Sequence, residues 1–462
     1  MIAILVIAGV AGLIWTVVLF RWGDLVGGCL AVLLTGSIFG HAFFHISVVT
    51  ADRLLLAGLA VVYVGYRRLG WADPKPIAKA DIAFFLFLFV LTLSTFTHNW
   101  QLHGAQPLAT LLFFFLLPAA LYWIGRQAKL TEQAVRTIFT SLAVFGVYLA
   151  ATAIAEKLNA WTFVFPKYIA SPAYEEFYGR ARGPFLNPIG CGLFLSVGLF
   201  AAVQWWPRVQ QVGRTLVVMV SALILIGVYC TLTRSVWLGA AAGLFAIVWL
   251  AISARWRMSL LITLLLAASS VLAWKWHDLN AFKRDKNVSV HDMSQSAGLR
   301  PVLATVAWKM FLDRPLFGCG FGQYKEFDRQ YLQDPSSDLD LEKARPYVQH
   351  NVFLALLTQT GVLGLGLWLT VLGLWIRDAW SLWINHDVPT WARQHALLLM
   401  SVIAAYGING LFHDVGIIVM VNMLLFFLAG VCQGLLPLAK TLPRAAGATC
   451  IATSRVTSMS GA

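Results

Sequence analysis

The stretch from Val352 to Ile376 contains no charged side chain, and neither do Ala105 to Ile124, Leu216 to Leu232 and Val236 to Ile252. Each is long enough to cross a hydrocarbon core of about 30 Å as a helix. In such a core every backbone N–H and C=O must be satisfied within the protein, which leaves helices or a closed barrel. Runs this long and unbroken exclude the alternating ten-residue strands of a barrel. With 59% hydrophobic and only 12% charged residues, the chain reads as an integral membrane protein. Its fold class is all-α, a polytopic membrane helix bundle.

The net charge of +13 raises nucleic acid as a partner, but the Lys and Arg residues gather in short loops beside the spans, so topology accounts for them. If the loop holding Arg67, Arg68, Lys75 and Lys79 is taken as cytoplasmic and the later spans are stepped through, sixteen Lys and Arg fall on the inside. Five fall in the short outer loops. The alternation gives ten spans after residue 81. Before it, the stretch Leu25 to Tyr66 is interrupted by His41, His45, Asp52 and Arg53, giving two or three more and a total of twelve or thirteen transmembrane helices.

The apolar N-terminus, Met1 to Phe20, lacks a charged leader and a small-residue cleavage site and is read as a retained helix. The expected division is 1–274 and 349–437 as membrane helices, 275–348 as a long outer loop and 438–462 as a disordered cytoplasmic tail rich in Ser, Thr, Ala and Gly. The six cysteines show neither paired nor metal-like spacing, and no His, Cys or carboxylate cluster has ligand spacing, so no metal and no cofactor are expected. No internal repeat of the transporter kind stands out.

Four features fall on the outer face. Arg234 lies between two apolar helices with almost no loop. It is either a snorkelling anchor or an anion clamp, and its sign opposes the charge bias of that face. A guanidinium suits phosphate through its planar fork. Arg180 and Arg182 precede Gly183-Pro184-Phe185-Leu186-Asn187-Pro188, near an expected helix N-terminus whose N–H groups favour anions; the alternative is solvated charges paired with Glu175 or Glu176. Residues 301–313 of the long loop carry Val302, Thr305, Val306, Trp308, Met310, Phe311 and Leu312 at roughly helical spacing, an amphipathic helix on the membrane or capping the bundle. The glycine-rich stretch from Arg314 to Gly322 follows, as an ordinary turn or a backbone phosphate cradle.

The fourth feature is His350-Asn351 at the water end of the Val352 span. An imidazole there is either a hydrogen-bonded structural residue or a base able to take a proton at neutral pH. His413-Asp414 on the same side reads as an acid-base dyad or as a helix-turn cap.

These residues resemble the O-antigen ligase and polymerase superfamily of bacterial envelope glycosyltransferases. The resemblance rests on Arg182-Gly183-Pro184-Phe185 with Asn187-Pro188, and on Thr233-Arg234-Ser235 with Trp237-Leu238. It continues through Asp313-Arg314-Pro315-Leu316-Phe317-Gly318 with Gly320 and Gly322, and ends at His350-Asn351 with Gly361 and Gly364. The pieces run in order from about residue 180 to 366. Thr233 stands where a serine is commoner, and Arg300 also looks like a family position.

The resemblance implies a multi-pass protein of the bacterial inner membrane with its active site, long loop and amphipathic helix facing the periplasm. It implies metal-independent, inverting transfer of a glycan from undecaprenyl diphosphate in lipopolysaccharide biosynthesis. The acceptor would be a hydroxyl of the lipid A core in a ligase, or another lipid-linked glycan in a polymerase. His350, Arg234 and Arg182 would be catalytic, and Arg180, Arg300, Asn351 and His413 would bind substrate. A lipid-linked glycan transporter, a protein-glycosylating oligosaccharyltransferase and a scaffold for envelope assembly are the other readings.

Overall fold

In the computed structural model the described residues are 23–40, 45–46, 49–102, 106–174, 177–253, 255–259, 290–333 and 337–441, with isolated residues in 17–21 and 262–270. The expected first span, most of the span expected near 258–274, Glu175, Glu176 and residues 442–462 of the tail lie outside them.

Apart from a two-residue antiparallel pairing of His45–Ile46 with Val49–Thr50, the described architecture is helical. Its principal helices are α1 (Gly23–Ile38), α2 (Ala51–Arg68), α3 (Lys79–Phe96), α4 (Pro107–Gln127), α5 (Glu132–Lys157), α6 (Pro188–Val203), α7 (Gln211–Cys230) and α8 (Arg234–Ala251). They continue with α9 (Val290–Asp313), α10 (Val352–Ile384), α11 (Thr390–Phe412) and α12 (Val419–Thr441). Among the described residues nine helices, α3 to α8 and α10 to α12, are long and apolar enough to cross a membrane. The chain is therefore a multi-pass membrane protein. Helix α12 continues to Thr441, past the expected boundary at 437.

Helices α6 and α12 form the interior, with 83% of each span buried, whereas α7, at 17%, is peripheral. Small residues set the close contacts, as expected where lipid gives no hydrophobic drive between helices. A Cβ on Gly198 of α6 would lie 2.8 Å from the Gly146 backbone of α5, and one on Gly430 of α12 would strike the Tyr122 backbone of α4.

Two proline and acid placements explain buried polar groups. Pro118 has no N–H to offer the Phe114 carbonyl one turn earlier, and the Asn422 amide of α12 donates to it at 2.7 Å. At the opposite end of the bundle, Arg126 is 1% and Asp81 0% exposed, and they pair at 2.7 Å. Tyr122 donates to the same carboxylate, and Arg126 also donates to the Lys75 and Pro76 carbonyls. This fastens the 67–78 loop onto α3 and α4. Removing one partner of a buried pair strands the other charge, so Asp81→Ala is expected to cost about 3–5 kcal/mol. The thermal unfolding midpoint in detergent measures it; an unchanged midpoint contradicts the assignment.

Outside the membrane helices, α9 confirms a helix over 301–313 but extends it back to Val290. The apolar residues divide into two faces. Val302, Leu303, Val306, Ala307 and Met310 are buried against Cys319, Tyr324, Leu332 and Leu341, with Leu354 of α10. Trp308 and Leu312 are exposed, as are Leu316 and Phe317 just beyond.

The glycine-rich stretch acts as a turn. It docks on a break in α10 at Gly361, whose φ of 65° and ψ of −166° are not helical. The N–H groups of Cys319 and Gly320 donate to the Thr358 and Gln359 carbonyls at 2.9 and 3.0 Å, and Val362 N–H donates to the Pro315 carbonyl at 2.9 Å. Gly322 N–H donates to Gln359 Oε1 at 2.6 Å and Phe321 N–H to Ser94 Oγ at 3.0 Å. The Cys319 and Gly320 amides satisfy carbonyls freed by the break, and those of Phe321 and Gly322 are taken by side chains, so they are not arrayed as a phosphate cradle.

Candidate functional site

Helix directions bring the singled-out residues to one end of the bundle. Helices α8 and α11 pack antiparallel: a Cβ on Gly239 would meet Asn409 Nδ2 at 2.5 Å and the Ala405 carbonyl at 3.1 Å. Arg234, five residues nearer the helix start and hence roughly 7 Å further out, reaches the level of Phe412 and His413. From the other side, Asn351 Nδ2 donates to the Leu411 carbonyl at 3.0 Å, and a Cβ on Gly410 would meet Val352 at 2.7 Å. The Arg300 guanidinium lies 5.7 Å from the Phe412 ring centroid. Arg234, Arg300, His350 and His413 therefore border one rim around the end of α11.

Arg234 opens α8 and its side chain is exposed. A cation in the first turn opposes the helix dipole, so it does nothing for the helix; the helix N–H groups and the guanidinium together favour an anion. Arg180 is bound beside it, donating to the Thr231 carbonyl at 3.3 Å and to Thr233 Oγ1. The chain around Arg180 is held there by Ala181 N–H donating to the Cys230 carbonyl at 3.0 Å.

Arg182 has a different setting from the one expected. It is 1% exposed, and its guanidinium donates to the Ile169 carbonyl at 2.8 Å and to the Tyr174 carbonyl. It lies 4.0 Å from the Glu156 carboxylate. Glu156 also accepts from the N–H groups of Arg182 and Gly183, at 3.3 and 2.8 Å. The α6 N-terminus near which Arg180 and Arg182 were expected is capped by Asn187, whose Oδ1 accepts from Ile189 and Gly190 at 2.8 and 3.1 Å. Arg182 thus ties Ile169 and Tyr174 to Glu156, and a side chain without N–H donors would leave those buried carbonyls unsatisfied. Sequence reasoning passed over Glu156, since a lone acid at a span end carries no signal of its loop partner.

Asn351 is likewise a positioning residue. Its Oδ1 accepts from Phe353 and Leu354 N–H at 2.9 and 3.0 Å, capping α10, while its Nδ2 ties that cap to α11. His350, one residue earlier, is thereby fixed at the rim with its side chain exposed and its ring 6.4 Å from that of Tyr347. Partial burial first, and the Arg300 charge second, hold its imidazole below the ordinary value. It is therefore neutral near pH 7, the form that accepts a proton. In the His413-Asp414 pair, Asp414 Oδ1 accepts from Gly416 N–H at 3.2 Å, a turn contact, and burial raises its carboxyl to about 7.

Among the described residues no group of three His, Cys, Asp or Glu could hold a metal ion. What the rim offers chemically is the guanidinium groups of Arg180, Arg234 and Arg300, one helix N-terminus and two imidazoles, of which that of His350 is neutral. Such a set is able to neutralise a polyanion and to take up a hydroxyl proton.

Residues 218–369 match the family model of the O-antigen ligases. The matched segment runs from within α7 through α8 and α9 into α10, and so includes Arg234, Arg300, His350, Asn351 and the Gly361 break. Arg180, Arg182 and His413 lie outside it. The match supports placing the chain in the O-antigen ligase superfamily, whose members are ligases or polymerases acting on lipid-linked glycans. No curated protein matches the chain.

Proposed function

We propose that this O-antigen ligase-type protein transfers a glycan from undecaprenyl diphosphate to a hydroxyl of the lipid A core, at the periplasmic face of the inner membrane. The observation that carries the reading is the gathering of Arg180, Arg234 and Arg300 with His350 around one end of α11. A glycosyl diphosphate needs little help to leave beyond charge neutralisation, so guanidinium groups take the part that a metal plays elsewhere. His350 takes the acceptor proton as the oxygen attacks the anomeric carbon from the side opposite the diphosphate, which inverts the centre. Arg234, with Arg180 held beside it, binds the diphosphate. Arg182 acts at one remove, by fixing the loop that carries Arg180, and Asn351 fixes His350.

Purified protein in nanodiscs, given labelled lipid-linked glycan and lipid A core acceptor, is expected to form product without an energy source and in the presence of a chelator. Transport of donor without product contradicts the reading. Deletion of the gene is expected to leave uncapped core with intact polymer; single repeat units on core would instead identify a polymerase.

The electrostatics give a further expectation. The base acts when neutral, so transfer falls as pH drops through the His350 pKa, which lies below the usual imidazole value. Arg300→Ala removes a charge that disfavours the imidazolium, so that pKa rises and the acid limb of kcat/KM moves to higher pH. A limb that stays in place or moves down contradicts the pairing.

A further inference from the structure

Beyond the end of α5 the chain returns to the rim through a loop that carries two rings in contact. The Trp161 indole and the Tyr178 ring have centroids 5.2 Å apart and planes inclined by 38°. Tyr178 is 42% exposed and Trp161 is half-buried, so the pair presents aromatic surface at the rim end of the bundle. We infer that Trp161 and Tyr178 form a platform on which the sugar next to the diphosphate stacks, and that they thereby help to select the glycan.

Polar contacts, more than burial, hold the platform in place. Tyr178 donates its hydroxyl to the Ala170 carbonyl at 3.2 Å, and the Arg182 guanidinium lies 4.6 Å from its ring centroid. On the other ring, Lys167 Nζ donates to the Trp161 and Thr162 carbonyls at 3.1 and 2.8 Å, and the indole packs against Ala155, Val164 and Ile169. Ring surface that is accessible yet fixed loses little freedom when a ligand covers it. Phe163, 82% exposed on the same turn, stacks on no ring among the described residues and is not part of the platform.

An aromatic face carries the negative lobe of its quadrupole, and the C–H groups on one face of a pyranose are polarised positive by the oxygens of the ring and the hydroxyls. Stacking the two removes apolar surface from water while the hydroxyls at the edge of the sugar stay hydrated. The position follows from the chain. Tyr178 is two residues from Arg180, at most about 7 Å along the backbone, and Arg180 is tied to Thr231 and Thr233 beside Arg234. A sugar joined to a diphosphate held there falls next to the rings. The inference rests on the transferase reading for that diphosphate, and goes beyond it by naming side chains that read the first sugar. Both rings lie outside the segment that matches the family model.

The test uses the full chain in phosphatidylcholine nanodiscs, titrated with farnesyl diphosphate and with the same diphosphate carrying N-acetylglucosamine or galactose. Wild type is expected to bind at least one sugar-bearing form more tightly than the bare one. Trp161→Ala is expected to weaken the sugar-bearing form roughly fivefold, the size of one aromatic contact, and to leave the bare form unchanged. Trp161→Phe and Phe163→Ala should keep most of the wild-type affinity, and Arg180→Ala should weaken all forms alike. Equal binding of bare and sugar-bearing forms by wild type overturns the platform and leaves the transferase reading standing. So does a Trp161→Ala protein that keeps the difference, or an equal loss in Phe163→Ala. Failure of wild type to bind any of the forms overturns the transferase reading and the platform with it. A bimane label on Trp161→Cys, in a cysteine-free background, that is quenched by nitroxides in the lipid tails and not by a soluble one would place the ring in the bilayer and also overturn the platform.

Discussion

His350→Ala is expected to abolish attachment of glycan to its acceptor while the protein still inserts and lipid-linked donor accumulates. A positioned general base contributes roughly 10²- to 10⁴-fold, about 3–5 kcal/mol of barrier. The fold should tolerate the change, because the side chain is exposed and the α10 cap belongs to Asn351. Asn351→Ala is therefore the informative companion: it leaves the imidazole but releases it from α11, and should lower transfer by less. Transfer at the normal rate in His350→Ala, measured with purified protein and labelled donor, contradicts the assignment of the base.

The second large effect is expected from Gly361→Ala. The residue adopts a backbone conformation essentially confined to glycine, so a side chain costs about 1–3 kcal/mol in strain alone. Its Cβ would also fall 2.3 Å from the Leu316 carbonyl, a backbone group that cannot turn aside. The clash pushes out the 315–322 turn, exposes the Thr358 and Gln359 carbonyls and disturbs the two helical turns that carry His350. Both the unfolding midpoint and transfer should fall. Gly366→Ala, in the same helix with open space around its Cβ position, is the matched control and should change neither. Equal behaviour of the two variants contradicts the docking of the turn on the break.

The spans were legible because hydrocarbon imposes one rule on every residue between Val352 and Ile376, whereas the side that each helix end faces rests on the count of charges in loops alone. The rim was partly legible: Arg234 stood out by lying between two apolar helices with almost no loop, and His350 by its place at a span end. What the sequence could not reveal was how those side chains are employed. Arg182 and Arg234 look alike in one dimension, yet one is buried on loop carbonyls and Glu156 and the other opens a helix at the surface. Gly320 and Gly322 suggest a cradle until their partner in α10, Gln359, is seen 39 and 37 residues away.

The account rests on residues 234 and 350 facing a common aqueous pocket outside the membrane. In a cysteine-free background, Arg234→Cys and His350→Cys are each to be treated in intact cells with a membrane-impermeant thiol reagent, and together with a short bifunctional one. Labelling of both positions from outside, with cross-linking of the pair, is the expected result. Labelling of one only from outside and of the other only after the inner membrane is opened would contradict it.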